Sequence, residues 1–311
     1  MILCGHCYMM LELHIHYFQC IKSYLILNLL IWILLERKCS VIISCSRRTD
    51  IPAFYKDYFV NSLQSGYFNV FNPVSKTFRK IIINHENIDA FVFWSKDYTN
   101  FIDVLDYLDA NNYKFYLNYT VNNYPCELEQ LKHPVSEIVS NCIDLSERYT
   151  VYWRYDPIYI SETTDISFHL KNFARLCEQF EKNVNRVIIN LLQEYPFVIK
   201  RLRGLSNEFQ PKPLSDDELI DFCIKIKEIA NKSGQIVYSC TPLFNQSMIL
   251  NQSHCIDRET ITTITGKKLN VKVRPVYNGC GCYESIDIGD YRECHHNCVY
   301  CYANKRSFNL P

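Results

Sequence analysis

The segment Ala90-Phe91-Val92-Phe93-Trp94 is an uninterrupted apolar run of strand length, and it ends in the polar residues Ser95, Lys96 and Asp97. A stretch with helical spacing follows over residues 101–110. A strand-length apolar run succeeded by a helical pattern is typical of the βαβ unit, which builds parallel sheets. This stretch therefore predicts an α/β fold.

The same unit recurs along most of the chain. Strand-type runs occupy residues 41–45, 90–94, 113–119, 150–154, 184–192 and 235–240. Helical spacing occupies residues 54–64, 101–110, 136–147, 167–181 and 216–231, and the last of these begins with a capping box formed by Ser215 and Glu218. About six parallel strands with five crossover helices predict a sheet, rolled or open, that we describe as a partial or complete TIM-like (β/α) barrel. Residues 65–85 are predicted to be an insertion, an antiparallel pair.

Three regions follow from this pattern: an N-terminal extension over residues 1–40, the barrel domain over residues 41–276, and a cysteine-rich segment over residues 277–311. The extension contains a twelve-residue apolar run at 24–35, short of the roughly 20 residues that span a bilayer. We interpret the extension as a misassigned start, with a weak membrane anchor as the alternative, and expect no stable membrane association. The Cys-Gly-His-Cys sequence at 4–7 is interpreted as incidental, because only three residues precede it and the strand of a disulfide isomerase cannot form.

Composition narrows the class of protein. The 311 residues suit one large core, and lysine plus arginine and aspartate plus glutamate both total 33. A balanced chain has no global field that attracts nucleic acid or acidic membranes. The sixteen cysteines, many of them single residues in apolar segments, are typical of reduced core thiols rather than of a disulfide framework. The expected location is the cytoplasm.

Polar residues cluster where the predicted strands end. In a barrel the active site lies at the carboxyl ends of the strands, and we predict that these residues bind a cofactor or a small-molecule substrate. Basic side chains would hold a carboxylate or phosphate, and the aspartates would accept from ribose hydroxyls or an amine. Each residue has a structural alternative: an ion pair at the rim for the charged side chains, and packing for Trp94 and Trp153. The predicted binding residues are Arg47, Arg48, Asp50, Trp94, Lys96, Arg154 and Asp156. No catalytic residue is identified.

Near the C-terminus, Cys294, Cys298 and Cys301 form a C-x3-C-x2-C loop with Tyr300 directly before the third cysteine. Three thiolates bind three irons of a 4Fe-4S cluster and leave the fourth iron open for chemistry, whereas a closed site needs four ligands. His295 and His296 inside the loop are expected to be solvated or hydrogen-bonded to cluster sulfur.

Two further cysteines precede this loop. Cys280 and Cys282 are redox thiols, ligands of another metal, or the completion of a four-ligand site with the loop. A zinc site or a closed structural cluster with four ligands is therefore an alternative to the open cluster. Apolar and polar residues alternate over residues 269–276, which predicts a seventh strand. Such a strand would return the chain to the rim formed by the carboxyl ends of the strands.

The cysteine loop resembles that of the radical S-adenosylmethionine (SAM) enzymes, down to Tyr300. The wider chain, over residues 41–305, resembles the domain of unknown function 1848 family. The resemblance rests on four motifs: residues 44–55 (SCSRRTDIPAFY), 92–96 (VFWSK), 153–158 (WRYDPI), and Cys280-Gly281-Cys282 followed by 285–289 (SIDIG). Known radical SAM enzymes carry the loop after the first strand, whereas here it lies at the far end of the chain.

The radical SAM resemblance implies an enzyme in which cluster-bound SAM is cleaved to a 5'-deoxyadenosyl radical. It also implies an electron donor such as ferredoxin or flavodoxin and an unknown substrate. The end of the loop is similar to spore photoproduct lyase, which keeps nucleic acid as a lesser alternative. The alternative hypothesis is that the protein is not an enzyme but a ligand-binding barrel with a structural iron-sulfur or zinc site.

Overall fold

The computed structural model describes residues 41–72, 75–180, 182–275, 280–290 and 294–304. The predictions for residues 1–40 lie outside the described residues. None of the helices in the described ranges is both long and apolar enough to cross a membrane.

Strands and helices alternate as predicted. The strands are β1 (Ile42–Cys45), β2 (Tyr67–Asn72), β3 (Thr77–Ile82), β4 (Ala90–Ser95), β5 (Phe115–Thr120), β6 (Val151–Ile158), β7 (Arg186–Leu191), β8 (Ile236–Ser239), β9 (Asn251–Gln252) and β10 (Ile286–Asp287). The helices are α1 (Ile51–Phe54), α2 (Lys56–Ser65), α3 (Ile102–Ala110), α4 (Val135–Ser146), α5 (Ile166–Phe180), α6 (Pro196–Leu202), α7 (Asp216–Lys232), α8 (Pro242–Gln246) and α9 (Arg258–Thr265), with short 3-10 turns at Thr99–Phe101 and Asn207–Phe209.

Eight strands form one sheet in the order β10-β1-β4-β5-β6-β7-β8-β9, and every neighbouring pair is parallel. The predicted parallel α/β sheet with crossover helices is confirmed. Among the described strands β9 and β10 are edges with no ladder between them, so the sheet is not closed. The predicted insertion is the antiparallel hairpin β2–β3.

Residues 269–275 do not form the predicted seventh strand of the sheet. Val273 makes only an isolated antiparallel bridge with Tyr283. The strand that pairs with β1 is instead β10. Its two residues are too few to show an alternating pattern, which is why the sequence did not reveal it.

The two faces of the sheet are covered differently. One face packs against helices α2 to α5 and α7 and forms the main core, with side chains such as Phe91, Phe93 and Trp153. On the other face, Ala90, Val92 and Tyr116 pack against later parts of the chain, namely Ile256, Ile261 of α9, Leu269, Cys280 and Cys282. These segments cover the face that a closed barrel would fill with its own strand side chains.

Candidate functional site

A cavity of about 280 Å³ lies at the carboxyl edge of the sheet. Five of the predicted binding residues line it: Arg47, Trp94, Lys96, Arg154 and Asp156. Cys255, Cys280, Cys282, Cys298 and Cys301 also line it, together with Tyr300 and Tyr302. The strand ends of β1, β4, β5, β6 and β7 and four of the five C-terminal cysteines therefore meet around one space, whereas Cys294 does not line it.

Arg48 and Asp50 do not line the cavity. Asp50 is buried and caps α1 by accepting from the Ala53 N–H at 3.0 Å. Its carboxylate also accepts from Ser95 Oγ at 2.7 Å and from the Lys96 N–H at 2.9 Å, and it contacts His296 Nε2 at 3.1 Å. Asp50 thus joins α1, the end of β4 and the cysteine loop. Arg48 donates to the Gly289 carbonyl at 3.3 Å.

Arg47 is held at the mouth by Asp287 of β10. Asp287 accepts from Ser44 Oγ at 2.7 Å, from Ser46 Oγ at 2.6 Å and from the Arg47 N–H at 2.9 Å. The approach is so close that a Cβ on Gly289 would lie 1.9 Å from Ser46 Oγ. No role was predicted for Asp287, although it belongs to the quoted motif at residues 285–289.

Arg154 and Asp156 form a buried ion pair and also line the cavity. Burial raises the pKa of the Asp156 carboxyl, and Arg154 opposes that rise. Arg154 Nη1 also donates to Cys255 Sγ at 3.0 Å. The Arg154–Asp156 pair is therefore both an ion pair at the rim and part of the cavity wall.

Trp153 and Trp94 lie in different surroundings. Trp153 is fully buried in the main core, where its Nε1 donates to the Val121 carbonyl at 2.9 Å. Trp94 is half-buried and lines the cavity. Trp153 is therefore a packing residue of the core, while Trp94 is available to stack on a ligand.

The cysteine loop is clipped to the segment that follows β5. The Val299 N–H donates to the Leu128 carbonyl at 3.0 Å, and the Gln130 N–H donates to the His296 carbonyl at 2.7 Å. Cys298, Val299 and Tyr300 pack in an apolar cluster with residues of α6. Arg201 of α6 donates to the carbonyl of Cys301. His295 is exposed, whereas His296 is buried against Asp50.

Around the three sulfurs the environment is buried and rich in donors. Burial raises the pKa of the Cys294 thiol to about 12, and the N–H groups of His296 and Asp50 donate to its sulfur. The Ala303 N–H donates to Cys301 Sγ at 3.3 Å. Burial also raises the pKa of Cys298, and the nearby Lys96 ammonium opposes this. Within the described ranges, no three His, Cys, Asp or Glu side chains are already arranged to hold a metal ion.

Lys96 belongs to a network that the sequence did not reveal. Its Nζ donates to Glu129 Oε2 at 2.6 Å, and the Tyr300 hydroxyl donates to the same oxygen. Burial lowers the pKa of Lys96, but Glu129, Cys298 and Asp50 outweigh it and the pKa is raised. Glu129 comes from a loop without a strand-end pattern, so no signal marked it in the sequence.

One protein-family model matches the sequence over nearly all of the described residues. A domain of unknown function (DUF1848) matches residues 42–303. The chain belongs to this family. Among curated proteins, none matches the chain.

In this DUF1848 protein a second group of cysteines adjoins the first. Cys280 and Cys282 lie on the second face of the sheet with Cys255, and Cys255 is in hydrogen-bond contact with Cys240 and Cys282. The sequence marked Cys280 and Cys282 but missed Cys240 and Cys255. The one available signal was that Cys240 is the last residue of the predicted strand at residues 235–240.

Proposed function

We propose that this protein is a radical-SAM-like iron-sulfur enzyme in which Cys294, Cys298 and Cys301 hold a 4Fe-4S cluster and the strand-end cavity binds SAM and a small-molecule substrate. The observation that carries the proposal is that Cys298 and Cys301 line the same cavity as Arg47, Trp94 and Lys96. A cluster attached there would face the bound molecules. In this proposal the sheet serves as a partial TIM-like barrel.

The residues around the triad fit a cluster. Three thiols on one loop are the donor set for three irons of a cube. N–H groups of Asp50, His296 and Ala303 donate to the sulfurs, and such hydrogen bonds stabilise cluster thiolates. Lys96 and Arg201 lie near Cys298 and Cys301 and would offset the negative charge of the ligands. Since metal binding deprotonates cysteine, the raised thiol pKa values do not prevent it.

When bound, a 4Fe-4S cluster with an open iron would supply the electron that cleaves SAM to a 5'-deoxyadenosyl radical. The protein's own contribution is to orient and enclose. Arg47 would bind the carboxylate of SAM, and Trp94 would stack on its adenine. The Arg154–Asp156 pair would orient polar groups of the substrate and exclude water from the carbon that reacts.

The cavity volume suits small molecules, and the balanced charge of the chain gives a nucleic-acid substrate no electrostatic advantage. We expect a cytoplasmic protein that receives electrons from ferredoxin or flavodoxin. These assignments are supported by cysteine usage and by the open-iron chemistry of the resemblance.

Electron paramagnetic resonance on anaerobically reconstituted and reduced protein tests the proposal. We expect about four irons and four sulfides at the triad, and a cluster signal that changes when SAM is added. Cys298→Ala should lose the cluster, while Cys223→Ala, a buried thiol on α7, should keep it.

Two outcomes would overturn this function. A cluster signal that SAM leaves unchanged would favour the ligand-binding barrel with a structural cluster. Zinc bound at the triad of protein reconstituted with excess iron would favour a structural zinc site.

A further inference from the structure

Four cysteines that the proposed function does not use come together from three parts of the chain. Cys240 follows β8, Cys255 precedes α9, and Cys280 and Cys282 come from the segment before β10. Cys240, Cys280 and Cys282 are buried, and Cys255 is half-buried. We call these residues the cysteine quartet. Three of its members, Cys255, Cys280 and Cys282, line the same cavity as the triad residues Cys298 and Cys301.

Three pairs of quartet sulfurs are neighbours, although the four sulfurs are not already arranged around one point. The thiol of Cys255 is in hydrogen-bond contact with those of Cys240 and Cys282, and Cys282 is also in contact with Cys280. The Cys282 N–H donates to Cys280 Sγ at 3.4 Å, and Arg154 Nη1 donates to Cys255 Sγ at 3.0 Å. N–H and guanidinium donors aimed at sulfur are the outer contacts that protein metal-thiolate sites use.

The backbone around the quartet is built for close approach. His254 Nδ1 contacts the Gly281 carbonyl at 2.7 Å. A Cβ on Gly281 would lie 2.4 Å from the His254 ring, so a glycine between the two cysteines lets their turn press against the residue before Cys255. This contact brings Cys280 and Cys282 to Cys255.

We propose that Cys240, Cys255, Cys280 and Cys282 bind a single divalent metal ion of the zinc class in a tetrahedral four-thiolate site. With metal–sulfur bonds of about 2.3 Å, a tetrahedral site places its sulfurs about 3.8 Å apart, which is the separation of thiols in contact. A 4Fe-4S cluster attaches each ligand to a different iron and needs wider spacing. The contacting quartet therefore suits one ion, whereas no S–S hydrogen bond joins the triad sulfurs in the described contacts.

Binding of the ion replaces the S–H hydrogen bonds by metal–sulfur bonds, and each thiol that ligates releases its proton to solvent. Because three pairs of these sulfurs are already neighbours, rotation of the cysteine side chains would bring the four sulfurs around one ion. Four thiolates around a divalent ion leave a net negative charge, which the Arg154 guanidinium at Cys255 offsets. The site would fix Arg154 and thereby the wall of the cavity. This assignment is independent of what the triad binds.

Co2+ is the probe for the test, because tetrahedral cobalt thiolates absorb in the visible and near-ultraviolet range. The protein is the full chain with Cys294, Cys298 and Cys301 replaced by serine, which removes the triad. We expect one equivalent of Co2+ with a tetrathiolate spectrum, displaced by Zn2+. Adding Cys255→Ser should abolish the spectrum, and adding Cys223→Ala should leave it unchanged. Cobalt binding that survives Cys255→Ser would overturn the proposal.

Reconstitution of the same triad-free protein with iron and sulfide distinguishes an ion from a second cluster. Uptake of about four irons that Cys255→Ser abolishes would show a second cluster and overturn the single-ion site. Because the serine variants risk poor folding, wild-type protein supplies a second measurement. Iodoacetamide labelling mapped by peptide mass spectrometry should show that Zn2+ protects Cys255, the half-buried member of the quartet. Equal labelling with and without Zn2+ would also overturn the site. Failure of the radical SAM function would leave both readouts unchanged.

Discussion

The Lys96 ammonium donates to Glu129 Oε2 at 2.6 Å in a site where the side chains are 11% and 1% exposed. The Tyr300 hydroxyl donates to the same carboxylate oxygen, so the strand end of β4, the loop after β5 and the cysteine loop are joined at one charge. Removing one partner of a buried pair leaves the other charge without compensation, which is far more costly than losing a surface pair.

Lys96→Met is therefore expected to lower the free energy of unfolding by about 3 kcal/mol. The matched control is Lys56→Met, which removes an exposed pair with Asp103 and should cost less than about 1 kcal/mol. Urea denaturation of the two variants measures both values. The double variant Lys96→Met/Glu129→Gln should recover part of the loss. Equal costs at Lys96 and Lys56 would contradict the importance of the buried network.

Some residues of this network could be predicted from the sequence and others could not. Lys96 was predicted because it follows an apolar strand-length run, and carboxyl ends of parallel strands gather at one edge. Glu129 was missed because it lies in a loop, where no periodicity constrains position. Cys240 was placed at the end of a predicted strand but was given no ligand role, and Cys255 was missed in a loop. Their meeting with Cys280 and Cys282 depends on how the loops after β8 and β9 pack on the second face.

Closure of the sheet was also beyond the sequence pattern. The runs at residues 90–94 and 150–154 predict buried parallel strands whether the sheet is open or rolled. What decides between them is the cover of the second face, here Ile256, Ile261 and Leu269. These residues come from short or irregular segments, and β9 and β10 have two residues each, too short to show a period.

A pH effect follows from His169 on α5. Its ring is fully buried, with Nδ1 2.7 Å from the Tyr155 hydroxyl and Nε2 3.0 Å from the Tyr159 carbonyl. Burial lowers the pKa of His169 from 6.5 to about 4. Below pH 6.5 the unfolded chain binds the proton and the folded chain does not, so stability is present above pH 6.5 and is lost as the pH falls toward 4. The loss should reach about 3 kcal/mol at pH 4.

Urea denaturation at several pH values between 7 and 4 measures this loss. The His169→Gln variant should show a shallower decline of unfolding free energy with falling pH than wild type, whatever its stability at neutral pH. The control is His85→Gln at an exposed position, which leaves the His169 contribution intact and should follow the wild-type slope. Parallel curves for wild type and His169→Gln would contradict the prediction.

Gly289→Ala should weaken the junction between β10 and β1. Its Cβ would lie 1.9 Å from Ser46 Oγ and 2.6 Å from Ser46 Cβ, which forces apart the Asp287 contacts that hold Ser44, Ser46 and Arg47. We expect a loss of at least about 2 kcal/mol in unfolding free energy. Gly66→Ala is the control, because its added Cβ meets open space and costs about 1 kcal/mol for the left-handed backbone alone.

Chemical denaturation ranks the two glycine variants. Ser46→Gly removes the two atoms nearest to the new methyl group, so the double variant Gly289→Ala/Ser46→Gly should lose less than the sum of the single losses. Additive losses, or a Gly66 variant as unstable as the Gly289 variant, would show that the close approach does not limit this position.

The neighbouring arginines Arg47 and Arg48 give the sharpest test of the cavity as the SAM site. Arg47 lines the cavity and Arg48 does not, so Arg47→Met should weaken SAM binding while Arg48→Met should change it less than about twofold. A charge-assisted hydrogen bond contributes about 1.5–3 kcal/mol, which corresponds to a loss of roughly 10- to 150-fold in affinity. Anaerobic equilibrium dialysis with SAM measures the affinity, and iron content reports whether each variant keeps its cluster. If both variants bind SAM as the wild type does while retaining iron, the carboxylate of SAM is not held by Arg47. If Arg48→Met shows the larger loss, SAM is bound outside this cavity, and the triad faces a different ligand there.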